Sequence, residues 1–219
     1  MTTMELLTWA RGDALEIAAS IFFIGMLFRV VTIFLLGRKK DLSEARVENS
    51  GVYGIRTIFS RSLPDFQHSN EPVALIAGYL FHIGIFMIIL LYVPHILVFK
   101  GAFGISWPGL PFWLIDGVTL ITLASMLVVL WHRYTNPVRR YLSTFGDWFS
   151  WLVTFLPVLT GYLVYHRMLL PYNEMLFVHI MTVNLLLVSF PFTKLTHFFT
   201  LFIARYYNGQ MAGRKGVKA

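Results

Sequence analysis

Five stretches of this chain stay apolar over lengths that match a lipid bilayer, and that leaves few folds open. Crossing about 30 Å of hydrocarbon takes roughly 20 residues of helix, because without water only a helix or a closed barrel satisfies its own backbone. Residues 14–36, 72–99, 112–131, 148–165 and 175–201 qualify. The expected fold is all-α: one integral membrane domain of five transmembrane helices, with a polar loop at 37–71 and a basic tail at 202–219. Composition agrees, since 57% of the 219 residues are hydrophobic and only 13% are charged. A soluble domain carries about twice that charged share.

The first span reads as retained rather than cleaved. Asp13 and Glu16 precede its apolar core, no basic segment leads it, and it ends in Arg38, Lys39 and Lys40 instead of small residues. Basic residues then set the expected orientation. Arg38, Lys39, Lys40, Arg46, Arg56 and Arg61 lie between spans one and two, and Arg133, Arg139 and Arg140 between spans three and four. Arg205, Arg214, Lys215 and Lys218 follow span five, whereas the other side holds only Arg11, Lys100 and Arg167. The N-terminus is expected outside and the C-terminus in the cytoplasm, in a multi-pass protein of the cytoplasmic membrane. The formal charge of +7 is thereby read as topology, not as a nucleic-acid footprint. The 37–71 loop mixes both charge signs and reads as a solvated linker or as a docking surface for a cytoplasmic partner.

The chain has no cysteine, which excludes disulfide scaffolds, thiolate clusters and cysteine nucleophiles together. A metal or haem has to be held by the seven histidines, the carboxylates or the nine methionines. Ionisable residues inside a span are costly and therefore candidates for function. His82 lies inside span two and His95 near its outer end; His179 and His197 lie near the outer and inner ends of span five. Antiparallel helices bring His82 level with His197 and His95 level with His179.

Two imidazoles facing each other across a bundle can hold a b-type haem, and two stacked pairs make an electron path across the membrane. His179 and His197 are 18 residues apart, five turns of a straight helix and about 27 Å of rise, which returns them to one face. His82 and His95 are 13 apart, and a straight helix would turn them roughly 140° from each other. Pro94 removes a backbone donor just there, so the second pair requires a kink. The bland alternative for any one histidine is a hydrogen bond across a helix interface. His132, His166 and His68 read as interfacial or solvated.

These residues resemble the gamma subunit of respiratory nitrate reductase and its relatives, a five-span dihaem cytochrome b. The match lies in HIMTVNLLLVSFPFTKLTH, from His179 to His197, and in LFHIGI around His82; weaker echoes are IGMLFR, 24–29, and HRYTNP, 132–137. The resemblance implies two haem b groups, with His82 and His197 on the inner one and His179 and a span-two histidine on the outer. The family's second span-two ligand falls ten residues after the first, and here that residue is Tyr92. His95 is assigned instead, because imidazole is the ordinary ligand and Pro94 can turn it inward.

The resemblance further implies a subunit that oxidises a quinol, menaquinol or ubiquinol, near the outer face. Electrons would pass to a cytoplasmic iron–sulfur subunit and a terminal catalytic subunit. Relatives in heterodisulfide-reductase-like and sulfur-metabolism complexes share the cytochrome and differ in partner, and the same ligand set serves quinone reduction in the reverse direction. Candidates for the quinone site are Tyr92, Lys100, Asp116, His166 and Arg167, each also readable as an interfacial anchor. Arg29 is a candidate for a haem propionate, while Lys194 and Arg133 read as snorkelling cations. The rival of another class is a haem-free proton-coupled transporter with the histidines as a relay, against which stands the scarcity of intramembrane carboxylates other than Asp116.

Overall fold

The computed structural model describes residues 2–37, 44–47, 49–62 and 71–217. His68, Arg38, Lys39, Lys40 and Lys218 lie outside the described residues. Among those described the chain is entirely helical, without a strand. Five segments are long and apolar enough to cross a membrane.

The first crossing is built from α1, Thr3–Arg11, and α2, Asp13–Leu35. A capping box between Thr2 and Glu5 starts α1, and Gly12 in a non-helical conformation separates the two helices. The polar loop is not all linker: it contains α3, Ser50–Ser60. Crossing two is α4, Pro72–Leu91, followed by the shorter α5, Val93–Phe103. Crossing three is α6, Phe112–Thr135; the six-residue α7, Pro137–Leu142, then leads into α8, Phe145–Tyr165, as crossing four. Crossing five is α9, Tyr172–Ser189, and α10, His197–Lys215, carries the chain onward.

Span five is not the continuous helix expected over 175–201. Two 3-10 turns, Phe190–Phe192 and Lys194–Thr196, interrupt it. Pro191 has no N–H to continue the ladder, and Thr193 is fully extended between the turns. The five-turn argument that placed His179 and His197 on one helix face therefore does not apply. Arg29 Nε donates to the Pro191 carbonyl at 2.9 Å and holds this break against α2. Gly25 permits the approach, since a Cβ there would come within 2.6 Å of the Pro191 ring. The tail expected over 202–219 is helix as far as Lys215, and α10 packs on α3. Glycines set that contact, because a Cβ on Gly54 would strike Tyr206 and one on Gly213 would strike Tyr53.

The packing has the inverted polarity of a membrane protein. Buried positions on the crossings are often small or hydroxylic, among them Ala18, Ala77, Thr119, Thr122, Ser125, Ser150 and Thr160, while Phe23, Phe28, Leu120, Trp131 and many other large side chains face outward. Between helices already in lipid, close backbone approach and short hydrogen-bonding side chains replace the hydrophobic effect as the source of association. Gly84 shows this directly: a Cβ there would overlap the Thr122 hydroxyl on α6.

The helices pack in the succession α4 on α6, α6 on α8, α8 on α9 and α9 on α2. α4 and α9, which together with the α5 and α10 that follow them carry all four candidate histidines, are not close-packed on each other. One end of the bundle is tied by ion pairs. Arg139 pairs with Glu71, Arg133 Nη1 lies 3.4 Å from Asp147 Oδ1, and Lys194 Nζ lies 2.7 Å from Asp147 Oδ2. This is called the basic end below.

Candidate functional site

The break between α4 and α5 shows how the sequence aims His95. Pro94 has no N–H for the Leu90 carbonyl, and Tyr92 adopts an extended conformation, ψ 121°. Three carbonyls at the break have found other donors. Trp107 Nε1 donates to Leu90 O at 2.5 Å, Leu110 N to Leu91 O at 2.9 Å, and His95 Nδ1 to Ile88 O at 2.9 Å. A buried carbonyl without a donor is costly, so the break and its three donors form one unit. His95 is thus tethered to the helix it follows while its ring is carried off the straight-helix direction.

The structure brings the four candidate histidines into two facing pairs. The His82 and His197 ring centres are 6.0 Å apart with planes at 89°, and those of His95 and His179 are 6.3 Å apart with planes at 19°. Metal–imidazole bonds of about 2.0 Å on each side, with each ring centre ~1.2 Å behind its nitrogen, separate two axial rings by about 6.4 Å. Both pairs therefore have the spacing of a bis-imidazole site.

The tautomers agree. His82 Nδ1 lies 2.6 Å from Gly78 O, His95 Nδ1 2.9 Å from Ile88 O, and His197 Nδ1 2.8 Å from Lys194 O. A carbonyl only accepts, so each Nδ1 carries the proton and donates, and Nε2 keeps the ring's lone pair. At His179 the partner is Thr160 Oγ1, 3.1 Å from Nδ1. Thr160 Oγ1 also lies 2.8 Å from Leu156 O and 3.0 Å from Thr182 Oγ1, so His179 Nδ1 is engaged by a shared hydroxyl rather than by a carbonyl. Nδ1 is engaged in all four, and in His82, His95 and His197 Nε2 keeps its lone pair, the arrangement by which protein groups orient metal-bound imidazoles.

Surroundings reinforce the fit. His82 and His197 are exposed on the protein surface despite their apolar setting, and an unrepaid imidazole in hydrocarbon is unfavourable. Gly161 lies against the other pair, where a Cβ would stand 3.1 Å from His179 Cε1. Among the described residues no group of three or more His, Asp or Glu forms a metal cage; an axial haem pair needs only two. The donor set of each pair, His82 with His197 and His95 with His179, is one that a b-type haem would accept.

The remaining candidates separate into those that meet and those that do not. Asp116 and His166, 50 residues apart, join at 2.8 Å. Tyr92 stacks edge-on against His95, ring centres 5.2 Å apart, and makes no ring contact with His179 among those described. Lys100 and Arg167 are exposed and form no ion pair among the described residues. Arg29 has its Nε committed to Pro191, leaving only its terminal nitrogens for a propionate. Lys194 and Arg133, read as snorkelling, are partners of Asp147. Sequence reasoning passed over Asn184, which is buried in α9 and donates through Nδ2 to Ala10 O at 3.3 Å; its Oδ1 has no partner. A polar residue in the middle of an apolar run was the available signal.

No family model matches the chain, and no solved structure matches it. A protein of Nitratidesulfovibrio vulgaris without a functional name is similar, 28% identical over 200 residues, covering 89% of this chain and 88% of that protein.

Proposed function

We propose that this chain is the membrane cytochrome b subunit of a respiratory oxidoreductase of the nitrate-reductase type, oxidising quinol and delivering electrons to an iron–sulfur subunit on the cytoplasmic side. One observation carries the reading: four imidazoles stand in two pairs with ring centres 6.0 and 6.3 Å apart, every Nδ1 engaged and three of them donating to backbone carbonyls. When bound, two b haems supply one-electron redox chemistry and a conductive path across the bilayer.

The chain's own residues do the rest. His82 and His197 would hold one group towards the basic end, His95 and His179 the other towards the opposite end, and the flanking apolar helices would keep water out. The basic end faces the cytoplasm, since thirteen Lys and Arg of the loops and tail gather on that side against three on the other. The paired helices α3 and α10 project there and offer a surface for the iron–sulfur partner. Quinol from the cytoplasmic membrane binds at the opposite end, near Tyr92, Asp116 and His166, with Lys100 and Arg167 at its rim.

A reduced-minus-oxidised difference spectrum of the purified protein tests this. Bands of b type, reducible by a quinol as well as by dithionite, are expected. A colourless protein after expression with haem supply would remove the proposal.

A further inference from the structure

His166 differs from the four paired histidines in one chemical respect. Its Nε2, not its Nδ1, is engaged, at 2.8 Å from Asp116 Oδ1. A carboxylate accepts, so Nε2 carries the proton and Nδ1 is left as the basic site. A carboxylate behind an imidazole fixes its tautomer and stabilises the imidazolium that forms when the ring takes a proton. The pair is half-exposed, with side-chain exposures of 32% and 27%. It stands where α6 begins and α8 ends, at the end of the bundle opposite the basic one.

Aromatic rings connect this pair to the His95–His179 site without a gap. His166 lies 4.9 Å from Tyr165, Tyr165 stacks on Phe112 at 6.3 Å, Phe112 meets Tyr92 at 5.8 Å, and Tyr92 meets His95 at 5.2 Å, all between ring centres. Tyr162 packs on the other side of His166 at 4.3 Å. The titratable and charged groups around the pair are Tyr162 and Tyr165 of α8, Tyr92 at the α4–α5 break, Tyr172 at the start of α9, and Arg167 beside His166. The turn after α8 is tight: Arg167 and Leu169 both take left-handed conformations, φ 53° and 68°, although neither is glycine. Such residues persist only where their surroundings over-determine them.

We infer that Asp116 and His166 form the proton-accepting dyad of the quinol site, His166 as the base and Asp116 as the residue that positions it. The inference rests on the cytochrome reading and adds the route of the protons. A quinol hydroxyl donates to His166 Nδ1; its O–H bond breaks, an N–H bond forms, and Asp116 stays ionised against the imidazolium. His166 hands that proton to water at this end of the bundle and takes the second. The balance is quinol to quinone, two protons through His166, and two electrons, one at a time, to a one-electron acceptor, which a haem at the His95–His179 pair would supply. The aromatic run supplies flat apolar surface for the quinol ring between base and acceptor.

The experiment compares the wild type, His166→Gln, Asp116→Asn and Asp116→Glu, using tetramethylbenzoquinol as the probe. Glutamine can still accept a hydrogen bond but cannot take a proton. His166→Gln should keep the wild-type dithionite-reduced spectrum and, with the protein already reduced so that no electron can move, bind the quinol within about twofold by tryptophan fluorescence. Its reduction by quinol should slow about 100-fold. The wild-type rate should rise with pH as His166 loses its proton, and this rise should vanish in His166→Gln. Asp116→Asn withdraws the charge that favours the imidazolium, so its rise should move to lower pH with a rate about tenfold down, and Asp116→Glu should restore both. Quinol reduction of His166→Gln at the wild-type rate and with the wild-type pH profile would overturn the dyad alone. Were His166→Gln to lose haem, the pH profiles of the two Asp116 variants decide the matter by the same criterion. A colourless wild type would overturn the cytochrome reading and the dyad together.

Discussion

Lys194 links His197 to Asp147, its backbone holding the one and its side chain the other. Its carbonyl accepts the His197 Nδ1 proton at 2.8 Å, and its ammonium is held by Asp147 Oδ2 at 2.7 Å. Asp147 also accepts from the Thr144 backbone and hydroxyl, each at 2.9 Å, and faces Arg133. The short helical turn that aims His197 is therefore fastened to the start of α8 by a carboxylate from a different crossing.

Replacing Asp147 with Asn should accordingly disturb the His82–His197 site and leave the other alone. The lost ion pair costs only about 1 kcal/mol of stability, because the Lys194 side chain is 62% exposed. The informative readout is spectroscopic. Ferric haem between perpendicular imidazoles and haem between near-parallel ones give different low-spin paramagnetic resonance signals, and the two pairs here stand at 89° and 19°. Only the perpendicular type should shift in Asp147→Asn. Two unchanged signals would mean that the tether does not orient His197.

Gly161 gives the reciprocal case. A Cβ there already stands 3.1 Å from His179 Cε1, so Gly161→Val drives two further methyls at the ring. Overpacking of this kind costs about 1–3 kcal/mol. The near-parallel signal should weaken or disappear while the perpendicular one stays. A variant that keeps both, with unchanged haem content, would show that α8 does not confine His179.

Much of this architecture is legible in the sequence because hydropathy is a local signal. Crossings three and four fall within a few residues of their expected ends, and Pro94 marks the α4–α5 break. Pro191 marks a break as well, yet the apolar residues on either side average through it, so 175–201 reads as one helix where the chain forms two with extended Thr193 between them. α3 escapes notice because it is short, lies in a polar loop and is fixed by Gly209 and Gly213, about 160 residues away, through contacts no local window contains. Asp116 and His166 are each visible as ionisable residues near a membrane boundary. That they meet depends on the relative height of α6 and α8, which tertiary packing sets.

The choice between His95 and Tyr92 is open to a direct test. The Ile88 carbonyl takes His95 Nδ1–H and the His179 ring lies across the gap, whereas Tyr92 presents its ring edge to His95. His95→Ala should remove one haem and abolish reduction by quinol. Tyr92→Phe should keep both haems and at most weaken quinol binding, because only a hydroxyl is lost. The reverse outcome, one haem lost from Tyr92→Phe and two retained in His95→Ala, would transfer the ligand role to Tyr92.

The claim on which the rest depends is that each facing histidine pair holds a haem. Pyridine haemochrome absorbance against protein concentration, measured on the chain purified in detergent, tests it with one number. Two haems b per chain are predicted, falling to one in His82→Ala and to one in His179→Ala. A protein without haem would contradict the account as a whole, and a ratio of one would leave one of the two pairs without its assigned role.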